Sequence, residues 1–433
     1  MKRLYIVLVA LLFVTACDND LDQFPSNIAS SDSLTDFEGV LNAAYFYQHG
    51  SVTPMAVMGD FRADNAFMFE PPYTEFDEFG PGLTAMEDQF FGPLYTALYK
   101  SILSANNVIE NSTDAAEVGE AKFLRALSYF KLVRVFGDVT VNLSAAPSTS
   151  DGSILVRQSA ADVYNNVIIP DFEDAIAALG TDIVDGRASK YAAQGMLGKV
   201  YMQLGDFSSA ESQLAAVVNG AASAGISLQD NFADIFGGAN DLNSEIIFAT
   251  QVSSSIVDEY GFSEFWSWSG GLDTKSLNPL DADLVAAFDA SPGDLRRAVT
   301  INEDVMASPK FPQDGGPDHD WIELRLADVI LLYAEALNEN GSSATALVEL
   351  NKIRTRAGLD NSTASGQADI RQAIQEERRL ELAFEGQRWF DLVRTGTVNA
   401  EMGESVDNRY YVFPIPVSEV LSSFGVITQN DGY

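Results

Sequence analysis

The chain contains few residues of the types that carry out metal or nucleophilic chemistry. One cysteine, Cys17, and two histidines, His49 and His319, occur among 433 residues. Zinc and iron sites need clustered nitrogen and sulfur ligands, and a disulfide needs a second cysteine. The sequence also lacks the G-x-S-x-G, H-E-x-x-H and glycine-rich phosphate-loop patterns. We therefore expect no catalytic residues and no cofactor; an all-oxygen calcium site is the one exception, and no motif indicates it.

Aromatic side chains in two segments without helical period offer a different chemistry. Residues 59–82 read GDFRADNAFMFEPPYTEFDEFGPG and residues 259–275 read EYGFSEFWSWSGGLDTK, and the Gly and Pro residues at their borders predict loops. A sugar presents apolar C–H faces and hydroxyl groups, so a neutral-glycan site combines flat rings with carboxylates, amides or guanidinium groups. The candidate glycan-binding residues are Trp266, Trp268, Tyr260, Tyr73, Phe69, Asp64, Asn65 and Arg62.

The spacing of Trp266 and Trp268 favours a shared role. In an extended segment, residues two positions apart point to the same side, so both rings would face one ligand. The competing interpretation is that these loop aromatics fill the core beneath a long insertion. Trp321, which directly precedes a predicted helix, is expected to be a packing residue.

The charge balance restricts the partners. The chain has 26 Lys and Arg against 62 Asp and Glu, a formal net charge of −36, which would repel nucleic acids and anionic surfaces. A uronic-acid polymer such as alginate would need a local basic patch, for which Lys275, Arg296, Arg297 and Lys310 lie close enough in sequence. We therefore prefer a neutral glycan and keep an anionic algal glycan as the alternative.

The N-terminus has the pattern of an export signal. Lys2 and Arg3 precede an uncharged apolar run over residues 4–14, which is too short for the roughly 20 residues that span a membrane. Residues 1–16 are thus predicted to be a signal peptide. The sequence VTAC that ends at Cys17 resembles the lipobox of bacterial lipoproteins, so Cys17 is the expected lipidation site and residues 17–30 an acidic tether. An ordinary cleaved signal with an incidental cysteine is the alternative, and no later segment predicts a transmembrane helix.

Apolar residues that recur every three or four positions predict that residues 31–433 form one mainly α-helical domain. A first capped helix should follow Thr35, and the other predicted helices span 85–109, 115–135, 160–179, 190–203, 208–219, 323–338, 344–357 and 369–394. Two helix pairs share one spacing of small, turn and small residues, typical of tetratricopeptide units. These positions are Gly198, Tyr201, Gly205 and Ala210 in the first pair, and Ala334, Leu337, Gly341 and Ala346 in the second.

Several segments together resemble the SusD/RagB family. They are AKFLRALSYFKLVRVFGDV (121–139), RLADVILLYAEALNE (325–339), ERRLELAFEGQRWFDLVRTG (377–396), FPIP (413–416) and the terminal QNDGY, in which Asp431 replaces the usual proline. The resemblance extends from the signal peptide to the last residue. It implies a SusD-like fold of tetratricopeptide-like helix pairs with long irregular insertions, and a lipid-anchored, non-catalytic glycan-binding protein of the outer-membrane surface. It further implies a SusC-type TonB-dependent transporter as partner, over which the protein acts as a lid.

The charged residues of 377–396 lie at helical spacing, which allows two interpretations. They could include a catalytic carboxylate pair, as in a glycosidase, but we favour an ion-paired scaffold helix with Trp389 and Phe390 as packing anchors. A protein-interaction subunit of the transporter complex, without glycan binding, is a further alternative. A neutral β-glucan of the laminarin type is the preferred ligand.

Overall fold

The computed structural model describes residues 36–433 except 69, 149–151, 185, 254–279 and 312–318. The chain divides into two units, 1–37 and 38–433, and the larger unit carries the fold described below. The predicted signal peptide, lipidation site and tether lie outside the described residues.

Helices dominate the described part of the chain, as predicted. In chain order the α-helices are α1 (Glu38–Phe46), α2 (Val52–Ala56), α3 (Glu75–Glu78), α4 (Gly92–Asn111), α5 (Ala115–Phe136), α6 (Ala160–Val163), α7 (Ile169–Ala178), α8 (Lys190–Leu204), α9 (Phe207–Gly220), α10 (Ala282–Asp289), α11 (Arg297–Thr300), α12 (Leu326–Glu339), α13 (Ser343–Arg356), α14 (Gln367–Glu381), α15 (Arg388–Thr395), α16 (Val398–Glu401) and α17 (Val417–Ser422). Short 3₁₀ turns span Tyr47–Ser51, Pro81–Met86, Gly152–Leu155, Ala221–Ala224, Phe232–Ile235 and Asn408–Tyr411, and π turns span Val57–Phe61, Glu87–Phe91 and Tyr164–Ile168.

Successive long helices pack side by side and form a continuous stack. α4 packs on α5, α5 on α7, α7 on α8, α8 on α9, α9 on α12, and α12 on α13. The two predicted helix pairs are α8–α9 and α12–α13, and α9 joins them by packing against α12. The repeat spacing therefore identified the two pairs correctly, although 136 residues separate them along the chain.

The repeat residues act as the sequence suggested. A Cβ atom on Gly198 would lie 2.5 Å from a methyl carbon of Leu214, so only glycine lets α8 and α9 approach this closely. Gly205 and Gly341 have φ of +71° and +84° and end the first helix of each pair in the left-handed conformation. Ala210, which packs in the second helix of its pair, is completely buried.

Two short antiparallel ribbons complete the fold. β1 (Val139–Thr140) pairs with β2 (Arg157–Gln158), and β3 (Ile246–Thr250) pairs with β4 (Trp321–Arg325). In the second ribbon Ile246 lies opposite Arg325, and Thr250 lies opposite Trp321. Every residue of β3 and β4 is buried, so this ribbon belongs to the core.

Three predicted helix boundaries were wrong. The predicted helix 323–338 begins only at Leu326, because residues 321–325 pair with β3. The predicted helix 369–394 is two helices, α14 and α15, separated by residues 382–387. Phe384 and Gly386 have positive φ there, and both of their N–H groups donate to the Asp60 carboxylate, at 3.1 and 2.5 Å. The predicted helix 85–109 starts in the 3₁₀ turn Pro81–Met86, continues as the π turn Glu87–Phe91 and becomes α-helical only at Gly92.

Candidate functional site

The first aromatic segment, residues 59–82, is only partly a surface loop: residues 59–66 are all buried, whereas Phe67, Pro71, Pro72, Glu78 and Pro81 are exposed. The Arg62 guanidinium is fully buried, with its central carbon 4.7 to 5.2 Å from the ring centres of Phe79, Phe413 and Trp389. It donates to the carbonyl oxygen of Tyr410 at 2.8 Å. This side chain therefore joins the segment to the C-terminal part of the fold, and it does not face solvent as a glycan ligand would.

Asp64 and Asn65 are also used within the protein. The Asp64 carboxylate accepts two hydrogen bonds from Arg388, each 2.7 Å long, and Arg379 donates to the backbone oxygen of Asp64 and to the side-chain oxygen of Asn65. Both residues are buried. The expectation that Arg62, Asp64 and Asn65 stand in an exposed loop is therefore wrong, because Arg62 bonds to Tyr410, and Asp64 and Asn65 hold the segment onto α14 and α15.

The aromatic candidates have different positions. Tyr73 is buried against Phe90, with ring centres 6.4 Å apart, and its hydroxyl accepts a 3.0 Å hydrogen bond from Gln89. The structure therefore assigns Tyr73 to packing rather than to an exposed stacking surface. Phe69, Tyr260, Trp266 and Trp268 lie outside the described residues, so their glycan-binding role stays a prediction. Trp321, expected to be a packing residue, is buried in β4 beside Phe311.

The charged motif at residues 377–396 is scaffold, as we favoured. Arg325 lies at the centre of a fully buried ion cluster and contacts Glu245, Glu381 and Glu385 at 2.6 to 2.8 Å. Burial alone would raise the pKa of Glu381, but Arg356, Arg325 and Arg296 outweigh burial and hold this pKa well below its usual range. Trp389 and Phe390 are buried packing residues. Glu245, Glu381 and Glu385 are thus ion-paired within the scaffold.

The same cluster removes most of the predicted basic patch. Arg296 is completely buried and bound to Asp294, Glu377 and Glu381, and the Lys310 ammonium lies 2.6 Å from Glu385. Arg297 does reach the surface, where it pairs with Asp289 and Glu303. Lys275 lies outside the described residues. The expectation that Arg296 and Lys310 help to build an exposed cation site is wrong, because both are needed to neutralise buried carboxylates.

A cleft of about 410 Å³ next to β3 has the composition of a sugar site. We call it the aromatic groove. Its walls come from α1, from the turn at residues 186–187 and from the end of β3, and its lining residues are Glu38, Asn42, Tyr45, Phe46, Gln48, His49, Gly186, Arg187, Phe248, Ala249, Thr250 and Gln251. Tyr45 and Phe46 are half-buried, whereas Asn42, Glu38 and Gln251 are exposed. The groove thus combines aromatic rings with a rim that carries amide, carboxylate and guanidinium groups.

A hydrogen-bond network fixes the Tyr45 ring in the groove wall. The Tyr45 hydroxyl donates to Glu120 at 2.5 Å and accepts from the backbone N–H of Ala188 at 2.9 Å. Burial, followed by the Glu120 charge, raises the pKa of Tyr45 well above its ordinary value, so the hydroxyl stays protonated. These two hydrogen bonds fix the hydroxyl and with it the position of the Tyr45 ring, which suits a preorganised stacking surface.

Arg187 connects this network to the rim. Its guanidinium donates to Glu120 at 2.8 Å and to the Asn42 side-chain oxygen at 2.9 Å, and it lies 5.1 Å from the Tyr45 ring centre. Partial burial opposes the charge, but the Glu120 carboxylate and Tyr45 outweigh burial and raise the pKa of Arg187. Arg187 therefore remains a cationic donor at the edge of the groove.

The groove borders the end of β3, the last strand before the second aromatic segment in the sequence. Gln251 directly follows β3, and its backbone oxygen is 2.5 Å from a ring nitrogen of His49. The next residue, Val252, donates from its backbone N–H to Asp320 at 2.8 Å. The segment that contains Trp266 and Trp268 begins at residue 259, beyond Ser253, where the description of this part of the chain stops.

The groove residues were not among the sequence candidates. Asn42, Tyr45 and Phe46 lie on a helix, whereas Arg187 and Gln251 lie in connections far away in sequence. One signal could have indicated them: the run Tyr45-Phe46-Tyr47 places three consecutive aromatic residues at a helix end, and a single buried helix face does not accommodate three consecutive residues.

A larger cleft, of about 630 Å³, lies between α10, α14 and α15. The arginines along its wall are already paired: Arg371 binds Glu339, Arg388 binds Asp64, and Arg394 binds Glu335. It offers little aromatic surface, which makes the aromatic groove the better sugar site.

The described residues contain no group of three or more His, Cys, Asp or Glu side chains arranged to hold a metal ion. A search of the same residues for a helix of the length and apolarity needed to cross a membrane finds none.

Comparison with known proteins places the chain in a family. The model of the SusD family matches residues 298–407, and a second model, described as starch-binding associating with outer membrane, matches residues 17–202. The chain belongs to the SusD family. The resemblance seen in the sequence motifs is thereby confirmed. SusD-family proteins bind glycans and are not catalysts, and the family description associates them with the outer membrane.

Individual SusD-like relatives match over most of their length. SusD-like protein P2 of Formosa agariphila is 26% identical over the full length of both chains. The starch-binding protein SusD of Bacteroides thetaiotaomicron is 24% identical over 75% of this chain and 74% of its own. A solved laminarin-binding SusD-like protein is 26% identical, has a TM-score of 0.73 and is matched over 92% of this chain and 99% of its own.

Proposed function

We propose that this SusD-family protein is a surface lipoprotein that captures an oligosaccharide or polysaccharide and delivers it to a SusC-type TonB-dependent transporter, over which it acts as a lid. The observation that carries glycan capture is the aromatic groove. It presents Tyr45 and Phe46 between hydrogen-bonding groups of Asn42, Arg187 and Gln251, which is the combination of stacking and hydrogen bonding that a sugar requires.

The proposed site combines the groove with Trp266 and Trp268. The groove supplies a preorganised wall, and we infer that the two tryptophans, which follow β3 in the sequence, add to it. Two aromatic rings that stack on successive sugars would extend the contact over more than one residue of a chain, which favours an oligosaccharide over a monosaccharide.

A neutral β-glucan of the laminarin type is the proposed ligand. A solved relative at 26% identity binds laminarin, and the net charge of −36 disfavours polyanions. An anionic glycan such as alginate becomes less favourable than the sequence suggested, since Arg296 and Lys310 are buried and paired.

Affinity gel electrophoresis tests glycan capture directly. The protein without residues 1–17 would be run through gels that contain laminarin, starch, xylan or alginate. We expect retardation by laminarin, and a loss of at least about tenfold in affinity, or about 1.4 kcal/mol, for the Trp266→Ala/Trp268→Ala variant and for Phe46→Ala. Phe67→Ala is the matched control, because Phe67 is 53% exposed but lies in the first segment. Equal retention of all variants would refute the assigned site.

Fractionation of cells tests the lipid anchor. We expect the full chain to be membrane-bound and accessible to protease added to whole cells, and Cys17→Ser to be released from the membrane. A Cys17→Ser variant that stays membrane-bound and surface-exposed would contradict the anchor, whatever the outcome of the glycan assay.

A further inference from the structure

A second surface, built from residues near the C-terminus, has the features of a docking site. None of the six residues of α17 is buried. Val417 and Leu421 lie four positions apart on one face of α17, Phe424 follows in the turn after this helix, and the three side chains are 38%, 70% and 98% exposed. Val426, 41% exposed, adds to them. We call these four residues the apolar knob; Phe424 is almost fully exposed to solvent, and the other three are partly exposed.

The backbone at the tip of the knob is strained. Phe424 has φ of 54°, in the left-handed region where glycine is the usual residue, and Gly425 follows with φ of 79°. A bulky aromatic residue normally adopts this conformation only when something else compensates for it. Two backbone hydrogen bonds close this turn, from the Phe424 N–H to Leu421 and from the Gly425 N–H to Val420, each 3.1 Å long, and they leave the Phe424 ring 98% exposed.

The scaffold beneath the knob is firmly held. The Gln429 side chain bonds both the N–H and the carbonyl oxygen of Ile415, each at 2.7 Å. Asn430 donates to the carbonyl oxygens of Phe136 and Phe413 at 2.9 and 2.7 Å, and Arg157 donates to that of Thr428 at 2.8 Å. The family motifs at 413–416 and 429–433 thus fix the backbone on either side of the knob. Such a knob is presented in one conformation, which lowers the entropic cost of docking.

The charges around the knob indicate the chemistry of its partner. Residues 411–433 include Glu419 and Asp431 but no Lys or Arg. At the start of α17 the Glu87 carboxylate accepts from the N–H groups of Val417 and Ser418, at 2.6 and 2.9 Å. An apolar patch with an acidic border is complementary to an apolar socket with a basic border. A second copy of the chain would bring acid against acid, and anionic lipid headgroups would also be repelled.

We propose that the apolar knob inserts into an apolar socket, bordered by Lys and Arg, on a partner protein. Phe424 is the anchor that fills the socket, Leu421 and Val417 widen the contact, and Glu87 and Glu419 meet the basic border. This surface goes beyond glycan capture and does not depend on the aromatic groove.

This docking can be tested by site-specific photo-crosslinking of the full chain in its native cells. A benzophenone amino acid would replace Phe424, and, as control, Val348, which is 58% exposed on α13. We expect one discrete protein adduct from position 424 only. Mass spectrometry should map the adduct to apolar residues of the partner that are flanked by Lys or Arg. The substitution Leu421→Asp should reduce the yield of the adduct at least about fivefold. Salt at about 0.5 M, which screens charges beyond about 4 Å, should reduce it by the same factor.

The controls separate docking from folding and from glycan capture. Leu421→Asp changes an exposed side chain, so its thermal unfolding midpoint and its retention in glycan-containing gels should match those of the parent. The proposal would be overturned by an adduct with lipid or with a second copy of the chain. It would also be overturned by equal adduct yields from positions 348 and 424, or by no adduct at all. A docking result of either kind leaves the glycan assay unaffected.

Discussion

Replacing Arg325 by Met tests whether the family motif at 377–396 is held by buried charges. The Arg325 guanidinium donates five hydrogen bonds: two to Glu385 at 2.7 and 2.8 Å, one to Glu245 at 2.8 Å, and two to Glu381, at 2.6 Å to its carboxylate and 2.8 Å to its backbone oxygen. Methionine fills most of the volume but provides no donor. Three buried carboxylates would lose their central cation.

The expected loss follows from what remains in the cluster. Glu385 keeps Lys310, Glu381 keeps Arg296 and Arg356, and Glu245 keeps only Arg356, which it shares with Glu381; the cluster is therefore left with one uncompensated negative charge. Removing one partner of a buried ion pair typically costs about 3 to 5 kcal/mol. We expect Arg325→Met to fall in this range, which is a large part of the roughly 5 to 15 kcal/mol that stabilises a folded domain.

Urea unfolding followed by tryptophan fluorescence measures this difference. Arg297→Met is the matched control, because Arg297 also pairs with two carboxylates, Asp289 and Glu303, but its side chain is 35% exposed. An exposed pair contributes about 0 to 1 kcal/mol. If the two variants lost the same free energy of unfolding, the buried cluster would not hold the motif in place and the reasoning would fail.

Three further outcomes follow from the structure. Gly59→Ala should destabilise the fold by at least about 2 kcal/mol in urea unfolding, because its Cβ would lie 2.2 Å from the Gly386 carbonyl oxygen. The control is Gly39→Ala, whose Cβ meets nothing within 4 Å and which should stabilise α1 by up to about 1 kcal/mol. Equal effects of the two substitutions would contradict the close approach of Gly59 to Gly386. Burial raises the pKa of Asp60 to about 7, so its protonation stabilises the fold fully below about pH 4, and this contribution is lost as pH rises through 7. The free energy of unfolding of the wild type, minus that of Asp60→Asn, should therefore fall between these pH values. A difference that does not change with pH would exclude a raised pKa. Phe424→Gly should raise the thermal midpoint, since glycine removes about 1 kcal/mol of strain at positive φ, and a lowered midpoint would show that the Phe424 ring contributes to folding.

Local sequence patterns predicted the helical scaffold well. The helix pairs α8–α9 and α12–α13 followed from small residues at helix crossings and glycines at helix ends, and these requirements act within a few residues of each other. The ion-paired character of 377–396 was also readable, because its charges recur at helical spacing. Helix boundaries at Leu326 and Glu381 were missed, since a strand partner 71 to 79 residues away and the distant Asp60 carboxylate determine them.

The candidate site was less predictable, because exposure depends on the whole fold. Residues 59–82 contain the aromatic and polar types of a sugar site, and the same types also build a core in which Arg62 lies between rings and Asp64 neutralises Arg388. Only burial distinguishes the two uses, and burial is not a local property. The prediction for Trp266 and Trp268 remains open to the gel assay.

The sequence by itself determined the family, the helical architecture, the absence of a recognisable catalytic motif and the expectation of an anchored glycan-binding protein, because each rests on motifs or local periodicity. Only the tertiary structure decided which polar groups are available to a ligand. It buried Arg62, Arg296 and Lys310 among their counter-charges and rings, and it assembled the aromatic groove from α1, a turn and the end of β3. Elements 140 to 200 residues apart meet there, and no spacing along the chain records that contact.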